Sequence, residues 1–466
     1  MKLKKIIMGI LSAGIIFTAS VPFTAYGKTE LPDIGDFDID TINEASYQFT
    51  LKSDGTYEIS KYIFDSSTTG IFQPSPDLTI PSTYKGKPVT SIGDAAFCTN
   101  NADHLTGCIT IPDTVTSIGE SAFYLCEFTN CVIPSSVTSI GGSAFIDTPW
   151  LDNMRAKDPL VIVNNLLIDA RTAKGDVIVP NGVTTICGYS FKENGTVTSV
   201  TLPDSVKIIG ECAFDRCTAL TKINIPDGLV QLGDGAFWGC EKLGGTIKIP
   251  SGIKTIGALT FANCSDLSGI ILPNGITEIG NNAFRFCEKI TSLTIPDTVT
   301  TIGIGAFSEM RNLKSLILPA SVTSIGNYCF EYCYSLNSLT ILNPNCSIPD
   351  DKTLTYGLTT IYGYSGSTAQ AYAEKYGKDF SALDQSQIRL GDVDFSGNIS
   401  PLDSSITLSA YAMLSTTGIS DLNEAQTIAA DVDRNGSIDP GDASYILGYY
   451  AYLATGGSDS IEKFIG

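Results

Sequence analysis

A period of about 23 residues runs through most of this chain and limits its possible folds more than any other feature. Prolines recur at 112, 134, 180, 203, 226, 250, 273, 296 and 319. Phenylalanines keep step at 97, 123, 145, 191, 214, 237, 261, 284, 307 and 330. The proline steps are 23 residues, apart from single steps of 22, 24 and 46. The step of 46 is two periods long and contains Trp150 to Asp169, a degenerate or inserted repeat. A short unit cannot bury its own apolar face, so units at a fixed period stack and share one continuous core.

One unit shows how a coil is built. Leu293-Thr294-Ile295 alternates as a short strand does, and Pro296 stops it because proline has no N–H for a further ladder bond. Val299 and Ile302, the turn at Gly303 and the pair Ala306-Phe307 complete the coil and point inward. The same phrase stands at 111–123 and 225–237. Over Leu78 to about Leu342 it resembles the BspA-like variant of the leucine-rich repeat superfamily, which implies an α/β repeat solenoid.

Thirteen cysteines would suggest disulfides in an exported chain. Six of them, Cys126, Cys217, Cys240, Cys264, Cys287 and Cys333, stand three residues after a marker phenylalanine, and Met310 fills that slot once. A slot that takes Met as well as Cys is small, buried and apolar. This favours a stack of buried free thiols over disulfides. Metal binding by these thiols is disfavoured, because there is no C-x-x-C pair and no histidine partner.

The ends of such a stack need caps. Tyr47–Leu51 and Tyr57–Ile59 flank Ser53-Asp54-Gly55-Thr56, a hairpin within an N-terminal cap at 28–75. The solenoid runs over 76–383 and ends in its own cap, with a strand at Thr359–Tyr364 and a short helix at Ser367–Tyr376 closed by Gly377. A linker at 384–390 leads to a second module at 391–457 and a tail at 458–466. Residues 1–27 read as a signal peptide, with Lys2, Lys4 and Lys5, an apolar run from Ile6 to Ser20, and Ala25-Tyr26-Gly27 as the cleavage site. The mature chain is expected to be secreted and soluble, with no membrane insertion. A net charge of −20 argues against nucleic acid as a partner, since there is no basic surface to neutralise phosphates.

The second module carries the chemistry. Two segments match each other 39 residues apart, Asp392 to Asp403 and Asp431 to Asp442. The first offers Asp392, Asp394, Ser396, Asn398, Ser400 and Asp403 at loop positions 1, 3, 5, 7, 9 and 12. The second offers Asp431, Asp433, Asn435, Ser437, Asp439 and Asp442. Gly397 and Gly436 supply the sharp turn. This is the layout of an EF-hand loop, in which hard oxygens from alternate residues surround calcium. Position 7 is expected to give its backbone carbonyl and position 9 to act through water. Two loops in matching register, each followed by a similar helix, predict two calcium ions.

This pair resembles the dockerin family, a small all-α module of paired EF-hand-like loop-helix motifs. The resemblance implies a cohesin module of a scaffoldin as partner, and a cellulosome-type, cell-surface-associated location. Carried over by position, the cohesin-binding residues are Pro401, Leu402, Leu408, Ser409 and Met413 in the first half. In the second they are Pro440, Gly441, Leu447, Gly448 and Tyr452. Familiar dockerins carry Ser-Thr and Lys-Arg at such places, so a more apolar contact is expected here, and some of these leucines could instead be core.

A catalytic role is not expected. His104 is the only histidine, and the repeat acids Asp113, Asp204, Asp227 and Asp297 share one slot after the proline, which signals turn chemistry. The outward strand positions form no aromatic row. The repeats are expected to bind a protein or glycan of unknown identity. A polysaccharide-binding or -degrading accessory subunit and a structural spacer remain as alternatives.

Overall fold

Most coils contribute two parallel strands rather than the one that their alternation suggests, although Leu293–Ile295 forms no strand and its coil contributes only Thr301–Ile302. The computed structural model describes residues 41–42, 45–64, 75–98, 105–350, 358, 360–383, 389–394, 398–417, 422, 424–433 and 437–465. The signal peptide, His104, Ser396 and Asn435 lie outside the described residues. The expected strand forms a first ladder, as where Gly175–Ile178 pairs with Val197–Thr201 and Ser315–Leu318 with Ser338–Ile341. A second ladder consists of two-residue strands such as Thr255–Ile256, Glu278–Ile279, Thr301–Ile302 and Ser324–Ile325. In each of these the isoleucine is buried and its neighbour is not.

Between the two strands the chain turns just after the marker proline. Val299 N–H donates to Pro296 O at 3.0 Å and Leu229 N–H to Pro226 O at 3.0 Å, with Asp297 and Asp227 exposed at the turn. The second strand ends at a glycine that the stacking requires. A Cβ on Gly233 would lie 2.4 Å from Glu211 N, and one on Gly303 would lie 2.6 Å from Asn281 N.

The third side of the coil holds the Ala-Phe pair. Two residues flanking each marker phenylalanine from Phe123 to Phe330 have left-handed backbone, as with Asn282 (φ 54) and Phe286 (φ 61) around Phe284. Their N–H groups reach the next coil, as when Cys212 donates to Asp234 O at 2.8 Å and Arg216 to Trp238 O at 2.6 Å. The marker phenylalanines themselves form a spine. From Phe191 to Phe330 successive ring centroids lie 4.7, 5.3, 5.5, 5.8, 6.0 and 5.6 Å apart, with nearly parallel planes. All of these rings are fully buried.

The thiols lie beside this spine, and all thirteen cysteines are free. Each cysteine of the recurring slot donates its S–H to the phenylalanine carbonyl one coil earlier. Cys217 Sγ lies 3.1 Å from Phe191 O, Cys240 3.1 Å from Phe214 O, Cys264 3.2 Å from Phe237 O and Cys333 3.0 Å from Phe307 O. The slot is therefore apolar in its surroundings, with a weak donor facing a carbonyl along the stack.

The step of 46 residues contains a helix and a hairpin. Helix α1, Pro149–Lys157, starts at the N-cap Thr148 with proline in its first turn, which suits a position whose N–H is unneeded. Strands Val161–Val163 and Leu166–Asp169 follow as an antiparallel pair joined at Asn164 and Asn165, both with positive φ. Asp169 is buried and accepts Arg155 Nε and Nη2 at 2.8 Å each and Arg171 Nε at 2.7 Å. This insert divides the solenoid core into two clusters, one containing Phe97, Phe123 and Phe145 and the other running from Leu167 onward.

Both ends of the stack carry elements of their own. Ala45–Leu51 and Tyr57–Phe64 form the N-terminal hairpin, which continues the second ladder by pairing with Lys87–Ile92. At the other end Thr360–Gly363 extends the first ladder. Helix α2, Thr368–Tyr376, begins at Ser367, whose hydroxyl accepts Gln370 N–H, and ends at left-handed Gly377. Strand Asp379–Ala382 adds one further rung.

The C-terminal module contains helices α3 (Pro401–Thr417), α4 (Glu424–Ala430) and α5 (Pro440–Ala454). The region read as a tail adds helix α6, Ile461–Ile465, which buries Ile461. Helices α3 and α5 pack together, and Ser404 Oγ donates to Ala443 O at 2.8 Å between them. Equivalent residues of the two halves, Val393 with Val432 and Ile399 with Ile438, are buried in the same cluster.

Candidate metal centre and binding faces

The duplicated loops bring three carboxylates together in each half. Asp392, Asp394 and Asp403 place one oxygen each within 4.8 Å of one another, and so do Asp431, Asp433 and Asp442. The acid at position 12 sits in the first turn of the following helix and is wholly buried in both halves. It also laces the loop closed. Asp403 Oδ1 accepts Val393 N–H at 2.8 Å and Asp394 N–H at 3.0 Å, while Oδ2 accepts Ser400 N–H at 2.8 Å. Asp442 repeats this with Val432 N–H at 2.9 Å and Asp439 N–H at 2.9 Å.

Packing like charges in a buried loop is costly. Burial pushes the Asp403 carboxyl above its ordinary range and the Asp394 charge adds to this, although backbone N–H donors oppose it. Asp442 is raised for the same reasons, burial first, with Asp433 as the neighbouring charge. A cation placed among the three oxygens would remove this repulsion. The donor set is entirely hard oxygen, which suits a divalent ion of the calcium type rather than a soft metal.

The remaining loop residues are placed differently from one another. Asn398 and Ser437 at position 7 are exposed. Ser400 Oγ donates to Asp403 Oδ2 at 2.9 Å. Asp439 is the N-cap of α5, and its Oδ1 accepts Gly441 N–H at 2.6 Å. Both position-9 side chains are thus engaged at the start of the helix. The S/D-x-x-D spacing is itself a capping-box signal that the EF-hand pattern obscures.

The positions carried over for a docking contact divide into two groups. Leu402, Leu408 and Leu447 are 57%, 46% and 49% exposed, so they are surface rather than core. Pro401, Ser409 and Pro440 are also exposed. Met413, Gly441, Gly448 and Tyr452 are half-buried. Tyr452 Oη donates to Asp459 Oδ2 at 2.9 Å, and its ring lies 5.3 Å from that of Phe464 in α6. Tyr411, Tyr445 and Tyr450 are also exposed on these helices. The spacing of Leu408 with Tyr411 and of Leu447 with Tyr450, one helical turn each, is the signal that marks them.

On the solenoid, the outward residues of the first ladder stand in register. Ile178 is opposite Thr201, Lys248 opposite Ile271, and Ile317 opposite Thr340 and then Tyr362. The repeat acids Asp113, Asp204, Asp227 and Asp297 are all exposed at turns on the coil edge. Among the described residues no helix is long and apolar enough to cross a membrane.

A family model described as a BspA type leucine-rich repeat region (6 copies) matches this chain over residues 57–196, 171–287 and 244–354. No curated protein matches the chain. Among solved structures, a leucine-rich repeat protein from Bacteroides ovatus is 26% identical, with 69% of this chain and 82% of that one covered and a TM-score of 0.37. A leucine-rich cell surface protein from Faecalibacterium prausnitzii is 28% identical, with 75% and 96% covered and a TM-score of 0.35. The pneumococcal vaccine antigen PcpA is 16% identical, with 74% and 98% covered and a TM-score of 0.35.

Proposed function

The chain belongs to the BspA-type leucine-rich repeat family, and on that premise we propose that it is an exported, non-catalytic binding protein with a calcium-dependent docking module. The observation that carries this reading is the pair of three-carboxylate clusters at equivalent places in a duplicated loop. Asp392, Asp394 and Asp403 would hold one calcium ion and Asp431, Asp433 and Asp442 the other. Each ion would supply the positive charge that fixes the loop. The chain's own part is to hold position 12 buried, close the loop through its N–H donors and start the following helix.

Two such helices side by side present Leu402, Leu408, Tyr411, Leu447 and Tyr450 on the surface. We assign this face to docking on a cohesin module of a scaffoldin, with a predominantly apolar contact. The repeats then serve as the cargo, with a sheet face suited to a protein partner. Calorimetric titration of the full chain with calcium should give two ions per chain. Capture by a panel of immobilised cohesins should require calcium and be lost on chelation. Two bound ions without capture by any cohesin would remove the docking assignment and leave the metal reading standing. Release of sugars or peptides by the purified chain would overturn the non-catalytic reading.

A further inference from the structure

The outward row of the first ladder changes character near its C-terminal end. Thr79, Val132, Ile178, Thr201, Lys248, Ile271 and Thr294 are exposed, with Ile178 at 74% and Ile271 at 54%. From the next rung onward the same row is covered. Ile317, Tyr362 and Ser381 are half-buried and Thr340 is only 3% exposed. These four are cross-strand neighbours on adjacent strands, so one object covers them all.

That object is the C-terminal module. Ile317, Tyr362 and Tyr364 pack against a cluster that includes Val393, Ile399 and Ala410. Leu383 and Leu390, which flank the expected linker, are buried in the same cluster. The boundary is lined by Thr294, Ile295 and Ile317 on one side and by Asp394, Ile406 and Ser409 on the other. Asp392 also lies close enough to Tyr362 to act, after burial, in raising its phenol. Asp392 and Asp394 of the first loop therefore face the repeats, and the cavity at this boundary is lined by Asp394 and by neither Asp431 nor Asp433.

We infer that the module is seated on the outward sheet face of the last coils, and that the cation held by loop 392–403 controls this seat. The inference rests on the calcium reading proposed above. With the ion bound, two of the three carboxylate charges are offset and the loop can lie against Ile317 and Tyr362. Without it, charge repulsion opens the loop and uncovers the row. Linkage makes the coupling reciprocal, so the seat tightens calcium at this loop and leaves the other loop alone. Calcium thus decides how much of the sheet face a partner of the repeats can reach.

Two measurements on the full chain test this. The first is hydroxyl-radical footprinting of Tyr362, read by mass spectrometry with calcium and with chelator. The expected result is a several-fold rise in Tyr362 oxidation on chelation. The second is calcium titration of the wild type and of Ile317→Glu, with the milder Ile317→Thr as a check against misfolding. Both variants should weaken one of the two calcium sites, by about tenfold for the glutamate, within the usual range of coupling between sites. Tyr362 oxidation indifferent to chelation, or two sites unchanged in both variants, overturns the inference while the calcium reading stands. A wild type that binds no calcium overturns both, and shows this before any variant is made.

Discussion

Phe261 stands in the middle of the longer ring spine, and Phe261→Ala should both destabilise the solenoid and confine the damage. The ring is fully buried and stacks on Phe237 at 5.5 Å and on Phe284 at 5.8 Å. Emptying a buried phenylalanine site costs about 3–5 kcal/mol in lost transfer energy and cavity. Each lost ring contact contributes about 0.5–1.5 kcal/mol beyond area alone. Two contacts disappear at once, so the upper half of the range is expected, about 4–5 kcal/mol. The stacked coils cannot close over the gap, because the turn glycines already hold neighbouring backbones at closest approach. In a linear array each coil touches only its neighbours, so the loss should be local. Urea unfolding followed by circular dichroism gives the magnitude. Hydrogen exchange gives the location, with protection lost around Phe237, Phe261 and Phe284 and kept around Phe97 and Phe123 in the other cluster. A loss below about 1 kcal/mol, against the range expected for a buried ring, or one spread evenly over both clusters, would refute the spine as the source of cohesion.

Equivalent left-handed slots should respond with opposite signs. Ser143→Gly relieves a φ of 58 and should raise the melting temperature slightly, while Gly235→Ala at φ 59 puts a Cβ 2.9 Å from Cys212 Sγ and should lower it, both read by calorimetry. The ten buried thiols should resist a thiol reagent in the native chain, with the half-buried Cys98, Cys108 and Cys212 reacting first. Burial pushes Cys187, Cys287 and Cys333 up to about 12. Protonated thiols therefore favour the fold below the unfolded value of about 8.5, and that stability should be lost as pH rises from there towards 12, read by urea midpoints. Asp403→Ala removes the acceptor for three backbone N–H donors and one carboxylate of the first cluster, and should reduce the bound calcium from two ions to one by titration.

Features that repeat in register were the legible ones. Nine prolines and ten phenylalanines in step identified coils and the slot for the thiols, which the structure has, while the single continuous core they suggested is divided in two. Asp54-Gly55 and Gly377 identified the hairpin turn and the helix end, because each residue type has a local reason to be there. The second ladder was not legible, since Thr301-Ile302 is too short to show alternation. Helix α1 lies in the step of 46, where the period that marks the other coils is absent and Thr148-Pro149 is a short helix-start signal. In the candidate site the three acids of each loop were readable from spacing, while the capping of α5 by Asp439 was masked by the stronger calcium pattern. The covering of Ile317 and Thr340 has no local signature, because it depends on a segment about 50 or more residues away in sequence.

The insert at Pro149–Asp169 gives the solenoid a mechanical consequence. A stack with a single core would carry tension from end to end as one rod. Here the core is interrupted, so a pull along the stack loads two rods in series with α1 and its hairpin between them. Series elements share the same force, and the weaker rod yields first while the other stays whole. Extension of one rod under load would therefore leave the sheet face of the other intact for whatever it holds.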